Sequence, residues 1–155
     1  MEAYENYPEL FVPTKMLYIH GEINNRPIEI FVDTGAQTTI ISKRLVEKCG
    51  LMKDLDHRLT GMVVGVGTQR SLGKIWKMFI KIKGRFFVLS ATVLQNFDHD
   101  LLLGLDMMKR HHCVIDLFKM CLIFGRENVQ AEFINDHNLS IIQMQRQNSR
   151  PGVFY

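Results

Sequence analysis

The clearest periodicity in the chain lies between Leu72 and Lys83, where Leu72, Trp76, Met78, Ile80 and Ile82 share one parity and Lys77, Lys81 and Lys83 take the other. Alternation of this kind puts apolar side chains on one face of a pleated strand and cations on the opposite face. Gly84-Arg85 then turns the chain into Phe86-Phe87-Val88-Leu89, a second strand. Upstream, apolar and aromatic residues crowd Met16 to Ile23, Asn24-Asn25 tolerate positive φ, and Pro27 to Val32 resumes the apolar run. That order predicts a hairpin. Val114 to Leu117 and Met120 to Phe124 predict another, closed around Phe118-Lys119.

Two brief helices interrupt the strands. Ser42 is placed to cap one, with Leu45, Val46 and Cys49 on one side and Gly50 at the C′ position. Asp106, an N-cap residue type, opens the second, which runs through Met107 to His112. Many short strands with two short helices predict an all-β protein whose sheet closes, or nearly closes, into a barrel. Residues 1–14 are polar and acidic, with Pro8 and Pro13, and read as an N-terminal arm; the folded domain is expected to span 15–134. From Arg126 the chain becomes rich in Asn and Gln, with Leu139 to Met144 as its only apolar island, so a partly ordered tail is expected, occupying 135–155.

Composition narrows the function classes. With 155 residues, 46% hydrophobic and 23% charged, there is room for one globular domain and not for two catalytic ones. Nineteen Lys and Arg against 16 Asp and Glu leave +3, too small a surplus to indicate a dedicated nucleic-acid or membrane surface. No apolar run approaches the ~20 residues that span a bilayer, and the acidic start lacks the basic residues of a signal peptide. A soluble, cytoplasmic protein is expected, with the nucleus as a second compartment. The three cysteines, Cys49, Cys113 and Cys121, form no CxxC pair, which argues against a disulfide scaffold. His111-His112-Cys113 are adjacent and point apart, so no metal and no cofactor are expected.

The candidate chemistry begins at Ile28 to Gln37, an apolar strand that delivers Asp33, Thr34 and Gly35 into a turn. An isolated Asp-Thr-Gly is usually only a turn. Here it is joined by two further landmarks. Gly104 follows Gly35 by 69 residues, at the end of the apolar run Leu101-Leu102-Leu103 and just before a helix. Between them, Gly61 to Gln69 is rich in glycine and flanked by strands, a hairpin able to bend over a cleft.

An acid-bearing turn, a glycine-rich hairpin and an apolar-Gly-helix segment, in that order, are the parts of a retroviral-type aspartic protease subunit. The sequence resembles the retroviral-protease-like domain of the DNA-damage-inducible protein 1 family, the ubiquitin-linked shuttle proteases. The resemblance rests on Met16 to Ile19, Phe31 to Ile40, Gly65 to Gln69, Leu101 to Met107 and Arg110-His111, and covers roughly 16–134. Leu105 stands after Gly104 where the usual retroviral motif has Arg, which agrees with the shuttle-protease version. The ubiquitin-like and ubiquitin-associated modules of that family are not seen, and the chain reads as a fragment or a short relative.

Only one Asp-[Ser/Thr]-Gly occurs, whereas aspartic proteolysis needs two facing carboxyl groups, so a catalytic form must be a homodimer that pairs Asp33 with its twin. Two carboxylates about 4 Å apart repel by roughly 4 kcal/mol at an effective dielectric of about 20, which separates their ionisations by about three pKa units. The pair therefore holds one proton over a wide range, the sharing for which aspartic proteases are the standard case. The resemblance further implies that Thr34 braces the two turns across the dimer and Gly35 lets backbone approach the dyad. It implies substrate contacts from Ala36, from a flap formed by Val64, Gly65, Val66, Gly67, Thr68 and Gln69, and from Leu102 and Leu103, which line or underpin apolar subsites. Val114 to Leu117 and the hairpin that follows would supply dimer-forming strands, and the substrates would be ubiquitinated or proteasome-bound proteins.

Two rivals share the fold: a catalytically silent dimerisation or adaptor domain of a ubiquitin-proteasome shuttle, and a retroelement-derived protease that processes a polyprotein. A surface for single-stranded nucleic acid around Lys77, Lys81, Lys83, Trp76, Phe79 and Phe86 is outweighed by a solvated strand face over a packed core. The nine methionines read as core filler and Cys49 as a core-facing helix residue.

Overall fold

A computed structural model describes residues 5–7, 16–63 and 68–135. Its elements in chain order are β1 (Tyr18–Ile23), β2 (Arg26–Val32), β3 (Ile40–Ser42), α1 (Lys43–Lys48), β4 (Leu55–Asp56), β5 (Met62–Val63), β6 (Gln69–Arg70), β7 (Gly73–Ile82), β8 (Arg85–Leu94), β9 (Leu101–Leu103), α2 (Leu105–Arg110), β10 (Cys113–Asp116), β11 (Cys121–Phe124) and β12 (Val129–Glu132). A 3-10 turn at Met52–Asp54 leads into β4.

The strands run β1-β2-β9-β3-β8-β7, and β7 returns to β1 at Glu22↔Lys81, which closes a barrel of 6 strands with β4 added beside β7. Closure removes the unpaired edges that an open sheet of these short strands would leave. The barrel interior is filled by alternate residues of each strand, among them Ile19, Ile30, Ile41, Ile75, Ile80, Leu89 and Leu101. A second cluster, Tyr18, Phe31, Ile40, Leu94, Phe97, Leu102 and Ile134, packs on the other face of β2, β9 and β3. Burying each such side chain stabilises the fold by about 1.5–3 kcal/mol.

Local chemistry accounts for the connections. Asn24 and Asn25, at φ 49° and 65°, make the two-residue turn between β1 and β2. Ser42 caps α1 by accepting from the Leu45 N–H at 3.1 Å. At the other end Gly50 sits at φ 69°, its N–H donates to Glu47 O, and the Leu51 N–H donates to Val46 O, the paired bonds of a Schellman cap.

Three details depart from the expected elements. The strand at 72–83 does not keep one parity: a bulge between Ile75 and Met78 places Ile75 inside and leaves Trp76 48% exposed, so Trp76 is not on the core face. An extra residue in one strand shifts its alternation by one, and this shift cannot be seen without the partner strand. The second helix begins at Leu105 with extended Gly104 as its cap and ends at Arg110, so Asp106 lies in its first turn and His112, at φ 50°, is already outside it. Finally, a strand that the polar stretch after Arg126 does not announce follows the last expected hairpin. Val129–Glu132 pairs with β11 to complete the antiparallel sheet β10-β11-β12, and Val129 and Ala131 are buried. The remainder of the expected tail, 136–155, and most of the expected arm lie outside the described residues.

Candidate active site

Asp33 is the first residue after β2, at the point where β2 and β9 run side by side in parallel. Its N–H donates to Leu103 O at 3.1 Å, which fixes the end of β2 against the end of β9. The turn then folds back on the carboxylate: the Gly35 N–H donates to Asp33 Oδ1 at 2.8 Å, and the Ala36 N–H donates to Asp33 O at 3.3 Å. Asp33 is half-buried, while Thr34 and Gly35 are exposed. The acid is thus held in a defined pose on the surface of the single chain.

The support beneath the turn is dense. Residues 36–39 pass directly over Gly104, where a Cβ would stand 2.7 Å from Thr38 C, 2.8 Å from Thr38 O and 2.9 Å from Ala36 O, so only hydrogen fits. The Leu105 and Asp106 N–H groups donate to Ala36 O and Gln37 O at 2.8 and 3.2 Å. Thr39 has 0% exposure. Its hydroxyl donates to Asp106 Oδ1 at 2.6 Å and accepts from the Gly104 N–H at 3.0 Å, and its N–H donates to the same carboxylate at 3.0 and 3.1 Å. Asp106 also accepts from the Met107 N–H at 2.7 Å. Hydrogen bonds to an ionised acceptor are the strong ones, and here several converge on one carboxylate. Thr39 and Asp106 therefore stitch the Asp33 loop to the start of α2. The sequence pattern marks Asp106 only as a helix cap and Thr39 not at all; the available signal is an Asp two residues beyond a glycine that follows an apolar run, with a Thr just ahead of β3.

The hairpin expected over the cleft has a described stem. β5 and β6 pair through Met62↔Arg70 and Val63↔Gln69. Gly61 and Ser71 tie its base, with the Ser71 N–H donating to Gly61 O at 2.7 Å and the Gly61 N–H donating to Ser71 Oγ at 3.0 Å. Gln69 clasps Asn96, its Nε2 donating to Asn96 O at 2.7 Å and its Oε1 accepting from the Asn96 N–H at 3.2 Å. Thr68 is exposed; Val64, Gly65, Val66 and Gly67 lie outside the described residues. Leu102 and Leu103 are both buried beneath the turn, Leu102 in the second cluster and Leu103 in the barrel core, and half-buried Ala36 packs against the Leu102 cluster.

The candidates weighed for other chemistry are committed elsewhere. Both ring nitrogens of buried His111 are engaged, Nδ1 with Glu127 Oε1 and Nε2 with Val88 O. Burial, helped by the Glu127 charge, pushes the Cys113 thiol up to about 12, and burial raises the Cys49 thiol as well. Neither is a ready thiolate nucleophile.

A family described as aspartyl protease matches residues 8–116. The chain belongs to the aspartyl protease family. Within it, the chain is similar to Protein DDI1 homolog 1 of Homo sapiens, 42% identical over 139 residues that make up 90% of this chain and 35% of that protein. DNA damage-inducible protein 1 of Cryptococcus neoformans var. neoformans serotype D is 46% identical over 137 residues, 88% of this chain and 31% of that protein. The chain thus spans about a third of the length of the curated relatives it matches. The crystal structure of the retroviral protease-like domain of Ddi1 from Leishmania major superposes with a TM-score of 0.73 at 37% identity, covering 81% of this chain and 99% of that one. The barrel described above is therefore the retroviral protease-like fold seen in the Ddi1 domain.

Proposed function

We propose that the chain is one subunit of a homodimeric aspartic endopeptidase, with Asp33 as its catalytic residue. The observation that carries this reading is the Asp33 turn itself: one carboxylate per chain, oriented by the Gly35 N–H, braced from below by Gly104, Thr39 and Asp106, and open on its outer side. A lone carboxylate cannot act as both base and acid in one step, whereas two copies related by a two-fold axis supply both. In the dyad the ionised Asp33 takes a proton from the attacking water while the protonated partner polarises the scissile carbonyl. No covalent intermediate forms, and the tetrahedral species collapses as the proton passes to the leaving nitrogen.

The remaining roles follow from this arrangement. Exposed Thr34 braces the two turns across the dimer, and Gly35 leaves room for substrate backbone. Closure of a flap carried on the β5–β6 stem excludes water, with the Gln69–Asn96 clasp as its anchor. Leu102 and Leu103 underpin the subsites from within the core. The sheet β10-β11-β12 presents Val114, Leu117, Phe118 and Met120 to solvent, an apolar surface suited to a second copy. Substrates are ubiquitinated or proteasome-bound proteins, in keeping with the DDI1 likeness, and the compartment is the cytoplasm, with the nucleus as a second one.

The test is cleavage of a diverse peptide library from pH 4 to 7 by the natural chain and by Asp33→Asn, read by mass spectrometry beside sedimentation of both proteins. Acid-favoured cleavage by a dimer, absent from the variant, is the expected result. A folded dimer that cleaves nothing would shift the reading to an adaptor, and a strict monomer at micromolar concentration would remove the shared site.

A further inference from the structure

The net charge of +3 conceals a strong asymmetry. From His57 to Phe97 there are seven Lys and Arg and no Asp or Glu, so the remainder of the chain carries twelve cations against sixteen acids. Five of the seven, Lys74, Lys77, Lys81, Lys83 and Arg85, belong to the β7–β8 hairpin and its turn. The outer face of the same hairpin carries large apolar side chains. Phe79 is 58% and Phe86 69% exposed, Val88 stands directly opposite Phe79, and the bulge that misplaces the strand parity turns Trp76 outward together with Lys77. α2 limits this face on one side, since Ser90 of β8 is buried and reaches Met107 Sδ at 3.9 Å.

We propose that this outer face of β7 and β8 is a docking surface for an acidic, apolar peptide segment of a partner protein. Cations and rings are interleaved rather than segregated: Lys74 Nζ lies 4.6 Å from the centre of the Trp76 ring and Lys81 Nζ 5.8 Å from that of Phe86. A segment that mixes carboxylates with Leu or Phe meets both partners of each pair at once. The protein's own acids at the rim already show the pairing: Asp56 Oδ2 accepts from Trp76 Nε1 at 3.0 Å, and Glu132 Oε2 accepts from Lys83 Nζ at 3.1 Å. The same carboxylates, with Glu22 beside Lys81, interrupt the continuous basic track that a phosphate backbone requires, and the ammonium groups cover ring faces on which bases would stack. This inference is independent of whether the Asp33 dyad is active.

Trp76 is the only tryptophan of the chain, so its emission reports directly on this face. The experiment titrates the full chain with a short synthetic peptide of Glu-Phe-Glu-Leu repeats, beside the same peptide with Lys for Glu and an oligothymidine strand. A saturable blue shift is expected with the acidic peptide alone, weakened at least about tenfold by Phe79→Ser and by Lys77→Glu, both exposed positions whose variants should melt like the natural chain. No shift, or an equal shift with the lysine peptide, overturns the proposal. Tighter binding of oligothymidine overturns it in favour of a single-stranded nucleic acid. A Phe79-dependent shift that grows with protein concentration alone overturns it in favour of a second copy of the chain.

Discussion

The turn that carries Asp33 and the turn that joins β10 to β11 are both at the surface, and they are built in opposite ways. The first exposes polar groups and a glycine, and its backbone is tied inward through Leu103, Gly104, Thr39 and Asp106. The second exposes apolar side chains: Phe118 is 96% exposed, flanked by Leu117 and by Met120, which itself adopts a positive φ of 53°. The first turn is complete as a structure and, on the proposed mechanism, incomplete as chemistry, because a single carboxyl cannot serve as both acid and base. The second is incomplete as a surface, because its apolar tip gains nothing until something covers it. In the proposed homodimer both shortfalls would be met by one event, the pairing of two copies.

The largest effect is expected at Asp33. Asp33→Asn should lower peptidase activity by about 10³-fold or more while leaving the urea midpoint nearly unchanged, because the half-buried side chain contributes little packing. A comparable loss of stability would mean that the turn, and not the chemistry, had been broken.

Next comes the support. Gly104→Ala would drive a methyl group into Thr38 and Ala36 backbone and should cost more than about 3 kcal/mol in urea denaturation. Thr39→Val keeps the shape of the side chain but removes the hydroxyl between Asp106 and the Gly104 N–H, leaving both underbonded, and should cost about 2–3 kcal/mol. Equal and small effects from both substitutions would show that the turn is not stitched from below.

The outward turn should respond in the opposite sense. Phe118→Ser should leave the stability of the monomer within about 0.5 kcal/mol and weaken dimerisation at least about tenfold, measured by sedimentation across a dilution series. An unchanged dimer would move the interface away from this sheet.

The smallest effect is at Asp56, a half-buried carboxylate like Asp106 but paired with an exposed Arg58. Hydrogen bonds from the Arg58 side chain, then from Trp76, hold its carboxyl well below the usual carboxylate range. The folded state therefore binds fewer protons than the unfolded state near pH 4, and the contribution is complete above that range. It is lost as pH falls through the ordinary carboxylate value of about 3.9 toward the folded one. Arg58→Ala should slightly flatten the fall of the urea midpoint between neutral and acid pH; an identical slope would mean that solvent screens the pair completely.

The features legible from the chain alone were those made by neighbours in sequence. Asn24-Asn25 turns the first hairpin, and Ser42 with Gly50 brackets α1, because positive φ and side-chain capping act over a few residues. Tyr18–Ile23 and Arg26–Val32 announced themselves by apolar content, as did Leu101–Leu103. The Trp76 parity could not be read, because the bulge exists only in the pairing of β7 with β8. The strand Val129–Glu132 was hidden in a polar stretch, because half of its residues face solvent and only β11 makes it a strand. Asp106 looked like a cap, because its principal donor, Thr39, lies 67 residues away.

The sequence by itself determined the class of the fold and its mainly β content, and it marked the Asp33 turn and the Gly104 segment as separate landmarks, since each depends on residue type and short-range order. Tertiary structure alone decided which face of β7 meets solvent, what Asp106 is bonded to, and how the Asp33 turn is held. These depend on bulges, crossings and buried hydrogen bonds between segments that meet only when the barrel closes, and the energy of such contacts is not encoded in any local pattern.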